Sequence, residues 1–142
     1  MQLFPWDDSY EIGITEIDRQ HRQLVDIINE LSDAMIDQKG DKTVPQILQK
    51  LVDYIQLHFK TEEEIMRRGN YPALEKHCQE HHEMTGIVLE FRQSHAKNHE
   101  VSPSAVLGFL CDWLKNHILV SDMELGRFLK ALPTTNQRSG LS

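Results

Sequence analysis

The stretch LQKLVDYIQLHFKTEEEI, residues 48–65, decides the fold. Six of its residues follow one another in steps of three and four, the spacing of one helix face, and they are Leu48, Leu51, Ile55, His58, Glu62 and Ile65. A helix that is buried on one side normally carries apolar residues along such a line. Here His58 and Glu62 take two of these positions about one turn apart, so both should point into the same part of the core.

Outward from this helix, apolar spacing and chain-breaking residues predict three more. The four helices are expected at about residues 15–38, 43–68 and 72–95, and from Pro103 onward after a cap at Ser102. The expected architecture is an all-α, antiparallel up-down-up-down four-helix bundle. An N-terminal arm with Phe4, Trp6 and Tyr10 should lie over it. Residues 1–132 are expected to form a single domain, with a flexible tail at 133–142.

Metal-binding side chains occupy core positions on all four predicted helices. They are His21, His58, Glu62, His77, His81, His117 and Asp122. Burying an unpaired polar group costs roughly 2–7 kcal/mol, so a cluster of seven needs a partner. Nitrogen and carboxylate donors that converge inside a helical bundle are typical of sites for a pair of iron or manganese ions. The pattern therefore predicts a dinuclear metal site in the core.

The fourth helix departs from regular spacing. His117 and Asp122 lie five residues apart in HILVSD, which leaves them about 140° apart on a regular helix. The apolar line also slips by one position, from Val106, Leu110 and Trp113 to Leu125 and Leu129. One additional residue in a helix forms a π-bulge, and such bulges are frequent at functional sites. The sequence predicts a bulge, or local overwinding, between His117 and Asp122.

Composition excludes several classes of function. A net charge of −7 over 142 residues argues against nucleic acid and anionic membranes as partners. No run of about 18 apolar residues is present, and the N-terminus lacks the basic start and apolar run of a secretory signal. The two cysteines, Cys78 and Cys111, form no CxxC motif and favour free thiols in a reducing compartment. A cytoplasmic protein is the expectation.

The chain resembles the bacterial hemerythrins, single-domain non-haem iron proteins that bind oxygen reversibly. The family pattern is one His on the first helix, HxxxE on the second, HxxxH on the third and HxxxxD on the fourth, and all seven positions match. The surrounding phrases WDDSYEIGITEIDRQH, HFKTEEEIM and WLKNHILVSD match as well, and the resemblance covers about residues 4–130. It implies reversible binding of molecular oxygen for storage or transport, without an enzymatic role.

The resemblance also implies a role for each metal-binding residue. Glu62 and Asp122 would bridge two iron ions, Fe2+ or Fe3+, together with an oxo or hydroxo group. One iron would be completed by the remaining residues of the third and fourth helices, His77, His81 and His117. The other iron would be held by His21 and His58 and would keep one open position. The recipient of the oxygen, including any protein recipient, stays open.

Apolar residues beside the metal-binding positions are the candidates for a dry oxygen pocket. By resemblance, this pocket is lined by Leu24, Phe59, Trp113, Leu114 and Ile118. Leu114 is expected to lie nearest to bound oxygen. A polar residue there should accelerate autoxidation. Phe59 and Trp113 would also be expected in the core of any bundle.

Other polar residues have plainer interpretations. Glu63 and Glu64 are expected on a solvated face, with only Glu62 directed inward. His82, His95 and His99 are expected on the surface, and the two cysteines are expected to be inert. Two further functions stay open beside oxygen storage: an oxygen or redox sensor acting through a partner, and a diiron peroxidase, ferroxidase or nitric-oxide scavenger. The end of the chain soon after its last helix disfavours sensing. An enzyme would need a proton donor near the open iron, and the sequence shows no spare acid or histidine in phase with the pocket, which disfavours an enzyme.

Overall fold

Helical backbone accounts for nearly all of the chain that the computed structural model describes, which is residues 4–36, 43–96 and 103–132. A short 3₁₀ turn, Asp8–Tyr10, precedes helices α1 (Thr15–Ile36), α2 (Thr43–Arg68), α3 (Leu74–Ala96) and α4 (Pro103–Asn116). A π-helical segment, His117–Asp122, joins α4 to α5 (Met123–Lys130). These residues contain no strand, which confirms the all-α class and the four-helix bundle, with α4, the π segment and α5 as its fourth member.

The helix boundaries follow the predicted punctuation closely. The bounds of α2 agree with those expected, and its end is a Schellman motif in which Asn70 adopts a left-handed conformation with φ 54°. The Tyr71 N–H donates to the Met66 carbonyl at 3.0 Å and closes this motif. Residues 72–73 then form a turn, so α3 begins at Leu74 rather than Pro72. The expected end of the first helix at Gln38 and the cap at Ser102 lie outside the described residues.

The N-terminal arm is held on α1 by a reciprocal pair of hydrogen bonds. The Phe4 N–H donates to the Asn29 Oδ1 at 2.7 Å, and the Asn29 amide donates to the Phe4 carbonyl at 2.9 Å. The Phe4 side chain is fully buried, while Trp6 and Tyr10 are half-buried against the core. The arm therefore covers one side of the bundle, as expected.

The predicted bulge in the fourth helix is confirmed. Residues His117–Asp122 are π-helical, and the Met123 N–H donates to the Ile118 carbonyl five residues earlier. Asn116 and Met123, on either side, keep ordinary right-handed helical angles, so the helix continues through the bulge. One residue is absorbed there, which lets both His117 and Asp122 face the core and keeps Leu125 and Leu129 buried beyond them.

No helix among the described residues is both long and apolar enough to cross a membrane. Residues 133–142 lie outside the described part of the chain, so the flexible tail and the division at residue 132 stay predictions. Cys78 is half-buried and Cys111 is buried, and both are free thiols.

Candidate metal centre

The seven residues predicted to bind metal meet in the middle of the bundle. Their side chains come from α1, α2, α3 and the two ends of the π segment, and all are at most 4% exposed: His21, His58, Glu62, His77, His81, His117 and Asp122. The helical phase explains this convergence, because each residue takes a position that its helix would otherwise fill with an apolar side chain.

The seven side chains divide into two groups that share both carboxylates. Glu62 and Asp122 lie with His77, His81 and His117 in one group, here called the three-histidine side. The same two carboxylates lie with His21 and His58 in the other group, the two-histidine side. Within each group, one donor atom from every residue lies within 4.8 Å of all the others.

Each shared carboxylate directs one oxygen to each side. The Asp122 Oδ1 is 2.9 Å from the His77 Nε2, whereas its Oδ2 is 3.0 Å from the His21 Nε2. The Glu62 Oε1 is 3.1 Å from the His81 Nε2 and also contacts His77, whereas its Oε2 is 3.2 Å from the His58 Nε2. Carboxylates that present one oxygen to each of two donor groups can bridge two cations.

Several buried polar atoms in this cluster lack hydrogen bonds. The described residues form no hydrogen bond of acceptable geometry with the His21 Nε2, the Glu62 Oε2 or either Asp122 oxygen. The His21 Nε2 and Asp122 Oδ2 are close enough to pair but are misaligned. Leaving such atoms unpaired costs roughly 2–7 kcal/mol each, whereas coordination to cations would satisfy all of them.

Two imidazoles of the three-histidine side face each other through their Nε2 atoms. The His81 Nε2 and His117 Nε2 are 3.2 Å apart, while the Nδ1 atom of each ring contacts a carboxylate. Since each Nδ1 must carry the proton that such a carboxylate accepts, both Nε2 atoms are acceptors in the neutral rings. Two acceptors cannot hydrogen-bond to each other, so this contact fits a shared cation.

The two carboxylates govern the protonation of the imidazoles around them. Burial favours neutral rings, but Asp122 and Glu62 outweigh it and raise the pKa of His21 to about 9 and that of His77 to about 9. Burial prevails at His58 and lowers its pKa. Burial also opposes ionisation of Glu62 and Asp122, yet the surrounding imidazoles hold the pKa of both carboxyls below the ordinary range. Both carboxyls therefore stay anionic at neutral pH and attract cations.

Three polar residues that sequence reasoning did not assign to the site contact Nδ1 atoms of the histidines. These Nδ1 atoms are here called the outer nitrogens, because the Nε2 atoms face the shared carboxylates. The Gln20 Oε1 is 2.8 Å from the His58 Nδ1, and the Glu63 Oε2 is 3.0 Å from the His81 Nδ1. The third is a carboxylate of α3, since the Glu80 Oε1 is 2.9 Å from the His117 Nδ1. The expectation that Glu63 lies on a solvated face is therefore wrong, because its carboxylate turns toward α3.

One sequence signal could have found these partners. Gln20 and Glu80 each precede a predicted metal-binding residue, and Glu63 follows one. A neighbour in sequence is rotated by about 100° around the helix, so it points toward the adjacent helix rather than into the core. Each of the three residues therefore supports a histidine of the next helix in the bundle. Glu64 and His82 are exposed, as expected, and His95 and His99 lie beyond the described side chains.

The candidate oxygen-pocket residues occupy different depths. Leu24, Phe59, Leu114 and Ile118 are buried, whereas Trp113 is half-buried. Phe59 stacks on the ring of His81 with ring centroids 3.8 Å apart, and Trp113 stacks on His117 at 4.5 Å. Trp113 also lines a cleft of about 330 Å³ on the outer side of the π segment, together with Glu80 and Val120. Its ring thus covers one face of His117, which lines the same cleft.

Comparison with known proteins gives one consistent family. The model of the hemerythrin HHE cation binding domain matches residues 12–129. The chain is similar to the bacteriohemerythrin of Stenotrophomonas maltophilia (strain R551-3), with 32% identity over 131 residues that cover 92% of this chain and 84% of that protein. It is also similar to the bacteriohemerythrin of Methylococcus capsulatus (strain Bath), with 31% identity over 133 residues, 92% of this chain and 100% of that protein.

Solved structures agree with the sequence relatives. A crystal structure of wild-type hemerythrin superposes with a TM-score of 0.81 and 27% identity, covering 91% of this chain and 99% of that one. A hemerythrin variant in which a leucine is replaced by tyrosine superposes with a TM-score of 0.83 and 27% identity, covering 92% of this chain and 100% of that one. The buried cluster of histidines and carboxylates described above is able to hold a diiron centre.

Proposed function

Since the chain belongs to the hemerythrin family, we propose that it stores or delivers molecular oxygen, bound reversibly at a pair of iron ions, and that it is not an enzyme. The family binds oxygen at a diiron site in general, and the buried cluster fits that chemistry. The single observation that carries the proposal is the division of five imidazoles into three and two around two shared carboxylates.

The assignment of ligands follows from this division. Glu62 and Asp122 would bridge the irons, since each presents one oxygen to either side. The three-histidine side offers its iron one more protein donor than the two-histidine side. His21 and His58 would therefore hold the iron that has room for oxygen. Iron supplies the reversible redox chemistry on which oxygen binding depends.

The protein around the site would keep water away from bound oxygen. All seven donor residues are at most 4% exposed, and the apolar side chains of Leu24, Leu114 and Ile118 are buried as well. A dry site disfavours the proton transfers that would release reduced oxygen irreversibly. We assign the oxygen pocket to these three residues together with Phe59 and Trp113, with Leu114 nearest to the oxygen.

The donor set supports carrying oxygen rather than consuming it. Ferritin-like diiron proteins use four carboxylates and two histidines. This site has five imidazoles and two carboxylates, and its lower anionic charge should stabilise ferrous iron. Cleavage of the O–O bond needs highly oxidised iron, which such a site would disfavour.

The proposal is tested by iron analysis combined with visible absorption spectroscopy of protein reduced under argon and then cycled between air and argon. We expect two irons per chain and a visible band that appears in air and fades under argon over repeated cycles. The matched variants are Asp122→Asn, which should lose iron, and Asp112→Asn, an exposed position that should behave as the parent.

Two outcomes would overturn the proposal. Immediate and irreversible conversion to the oxidised form in the first exposure to air would indicate a redox sensor. Steady consumption of peroxide or nitric oxide at the loaded site would indicate an enzyme.

A further inference from the structure

The outer nitrogens of the histidines have unlike partners on the two sides of the metal centre. On the three-histidine side, His81 and His117 each donate their Nδ1–H to a carboxylate, at 3.0 Å to Glu63 and 2.9 Å to Glu80. On the two-histidine side, His58 donates to the neutral amide of Gln20 at 2.8 Å. No described residue hydrogen-bonds to the remaining outer nitrogen there, the His21 Nδ1.

The orientation of the Gln20 amide is set by its other end. Its Nε2 donates to the Thr61 Oγ1 at 3.4 Å, and the Thr61 hydroxyl donates in turn to the Leu57 carbonyl at 3.0 Å. Since the Thr61 proton is committed to that carbonyl, the hydroxyl can only accept from Gln20. The amide oxygen is therefore the atom that faces His58, which keeps the His58 proton on Nδ1 and leaves its Nε2 lone pair for the metal.

The three partners also differ in burial. Gln20 is only 5% exposed, whereas the side chains of Glu63 and Glu80 are 19% and 26% exposed. Glu63 has Arg67 at 3.7 Å, and Glu80 accepts a hydrogen bond from Ser121 at 2.6 Å. Charge is thus placed where solvent or a polar neighbour supports it, and the most enclosed of the three partners is neutral.

Charged and neutral partners affect a metal-bound imidazole differently. A hydrogen bond to a carboxylate is roughly twice as strong as one to a neutral acceptor. It draws the Nδ1 proton away from the ring and makes the Nε2 atom a stronger donor to the metal. A stronger donor stabilises ferric iron relative to ferrous iron. The two sides of this site should therefore hold iron of different reduction potential.

We propose that Gln20 is a positioning residue that keeps His58 a weak donor, so that the iron on the two-histidine side is the harder of the two to oxidise. With a one-electron oxidant, iron held beside His81 and His117 would lose its electron before iron held by His21 and His58. The inference rests on the two-iron assignment proposed above, but not on oxygen binding.

The test is an anaerobic spectroelectrochemical titration of the iron-loaded full chain, with the mixed-valent form followed by EPR. We expect two separate one-electron steps. In Gln20→Glu the equilibrium constant of the second oxidation step should rise about tenfold, which lowers its reduction potential by about 59 mV. The first step should shift much less. In Glu63→Gln and Glu80→Gln the first step should become less favourable by a similar factor.

Matched controls separate hydrogen bonding from bulk charge. Gln56→Glu adds the same charge at an exposed position of α2, and Glu64→Gln removes one beside Glu63 at an exposed position. Both should change the equilibrium constant of each oxidation step by no more than about twofold relative to the parent. A proton NMR spectrum of the loaded protein adds a readout of tautomer. The exchangeable Nδ1–H resonance of His58 should move in Gln20→Glu and lose intensity in Thr61→Val.

The inference is overturned if Gln20→Glu shifts the first step instead of the second, or shifts neither beyond the Gln56→Glu control. If Gln20→Glu does not retain two irons, the two carboxylate variants decide, because a shift confined to the second step contradicts the assigned order. A loaded protein that shows the expected shifts without reversible oxygen binding would refute the proposed function and support this inference. A parent chain that holds fewer than two irons would refute both.

Discussion

Replacement of Gly126 by alanine should push α5 away from the N-terminal segment. A Cβ atom at this position would lie 2.6 Å from the Ile12 carbonyl oxygen and 3.2 Å from the Ile12 Cβ. The backbone of Ile12 is not free to retreat, since its N–H donates to the Asp18 Oδ1 at 2.7 Å and its side chain is 1% exposed. The neighbouring Gly13 N–H also donates to Asp18, at 3.0 Å.

The size of the effect follows from two opposing contributions. Overpacking of a buried contact costs about 1–3 kcal/mol, and contact with a restrained backbone atom places this site at the upper end. Alanine recovers about 1 kcal/mol over glycine within a helix. Gly126→Ala should therefore lower the free energy of unfolding by about 2 kcal/mol. Gly86→Ala in α3 is the control, since a Cβ there meets nothing within 4 Å, and it should be stabilising by about 1 kcal/mol.

The measurement is thermal unfolding of the iron-loaded variants by circular dichroism, together with iron content. A loss of about 2 kcal/mol corresponds to a Tm lower by roughly 4–8 °C for a domain near this size. Asp122 lies one turn before Gly126, so Gly126→Ala should also retain less iron than the parent, whereas Gly86→Ala should not. The reasoning is refuted if Gly126→Ala raises Tm or leaves it unchanged, because glycine would then have no packing role at residue 126.

Three other outcomes are expected. Leu114→Asn should accelerate autoxidation of the oxygenated protein, measured as decay of its visible band, because a polar side chain admits protons to the pocket. The control is Leu57→Asn, at a position that is 52% exposed. Equal autoxidation rates in the two variants would contradict the pocket assignment. In iron-free chain, the pKa of His21 and that of His77 lie at about 9 against 6.5 unfolded, because the buried carboxylates outweigh the effect of burial. The stability that these two protonated histidines give the fold is complete below about pH 6.5 and is lost as pH rises toward 9. Urea midpoints should therefore fall across that window, and a flat profile would contradict these raised pKa values. Asn29→Ala should destabilise the fold by about 1–3 kcal/mol in urea unfolding, because two buried backbone groups of the N-terminal arm lose their partner; a change near zero would show that water replaces the amide.

The helices could be predicted because their signals are local. The steps of three and four along each helix identify the face that must be buried. Asn70 and Pro103 mark boundaries through their own backbone preferences. The slip between His117 and Asp122 belongs to the same class of signal, because one inserted residue changes the phase of every later residue in the helix. That is why the π segment could be located before its hydrogen bonds were known.

The residues of the candidate metal centre could also be predicted, since polar donors in phase with an apolar face have no other favourable environment in the core. Their grouping could not be obtained from spacing alone. Only the packed bundle brings Glu62 of α2 and Asp122 of the π segment between the two sets of histidines, with one oxygen of each toward either side. The distances that define a bridging position are between helices, and periodicity within one helix carries no information about them.

By itself, the sequence determined the all-α bundle, the bulge and the seven buried donors, because burial periodicity is a property of each helix taken separately. The tertiary structure alone decided how the outer nitrogens of those donors are partnered. Glu63 was expected in solvent because it sits beside Glu62, but α3 packs against that side of α2 and brings the His81 Nδ1 to its carboxylate. In the same way, Gln20 meets His58 only because α1 and α2 pack side by side. Whether a polar residue next to a metal ligand faces water or a neighbouring imidazole depends on which helix covers it, and that is decided by packing.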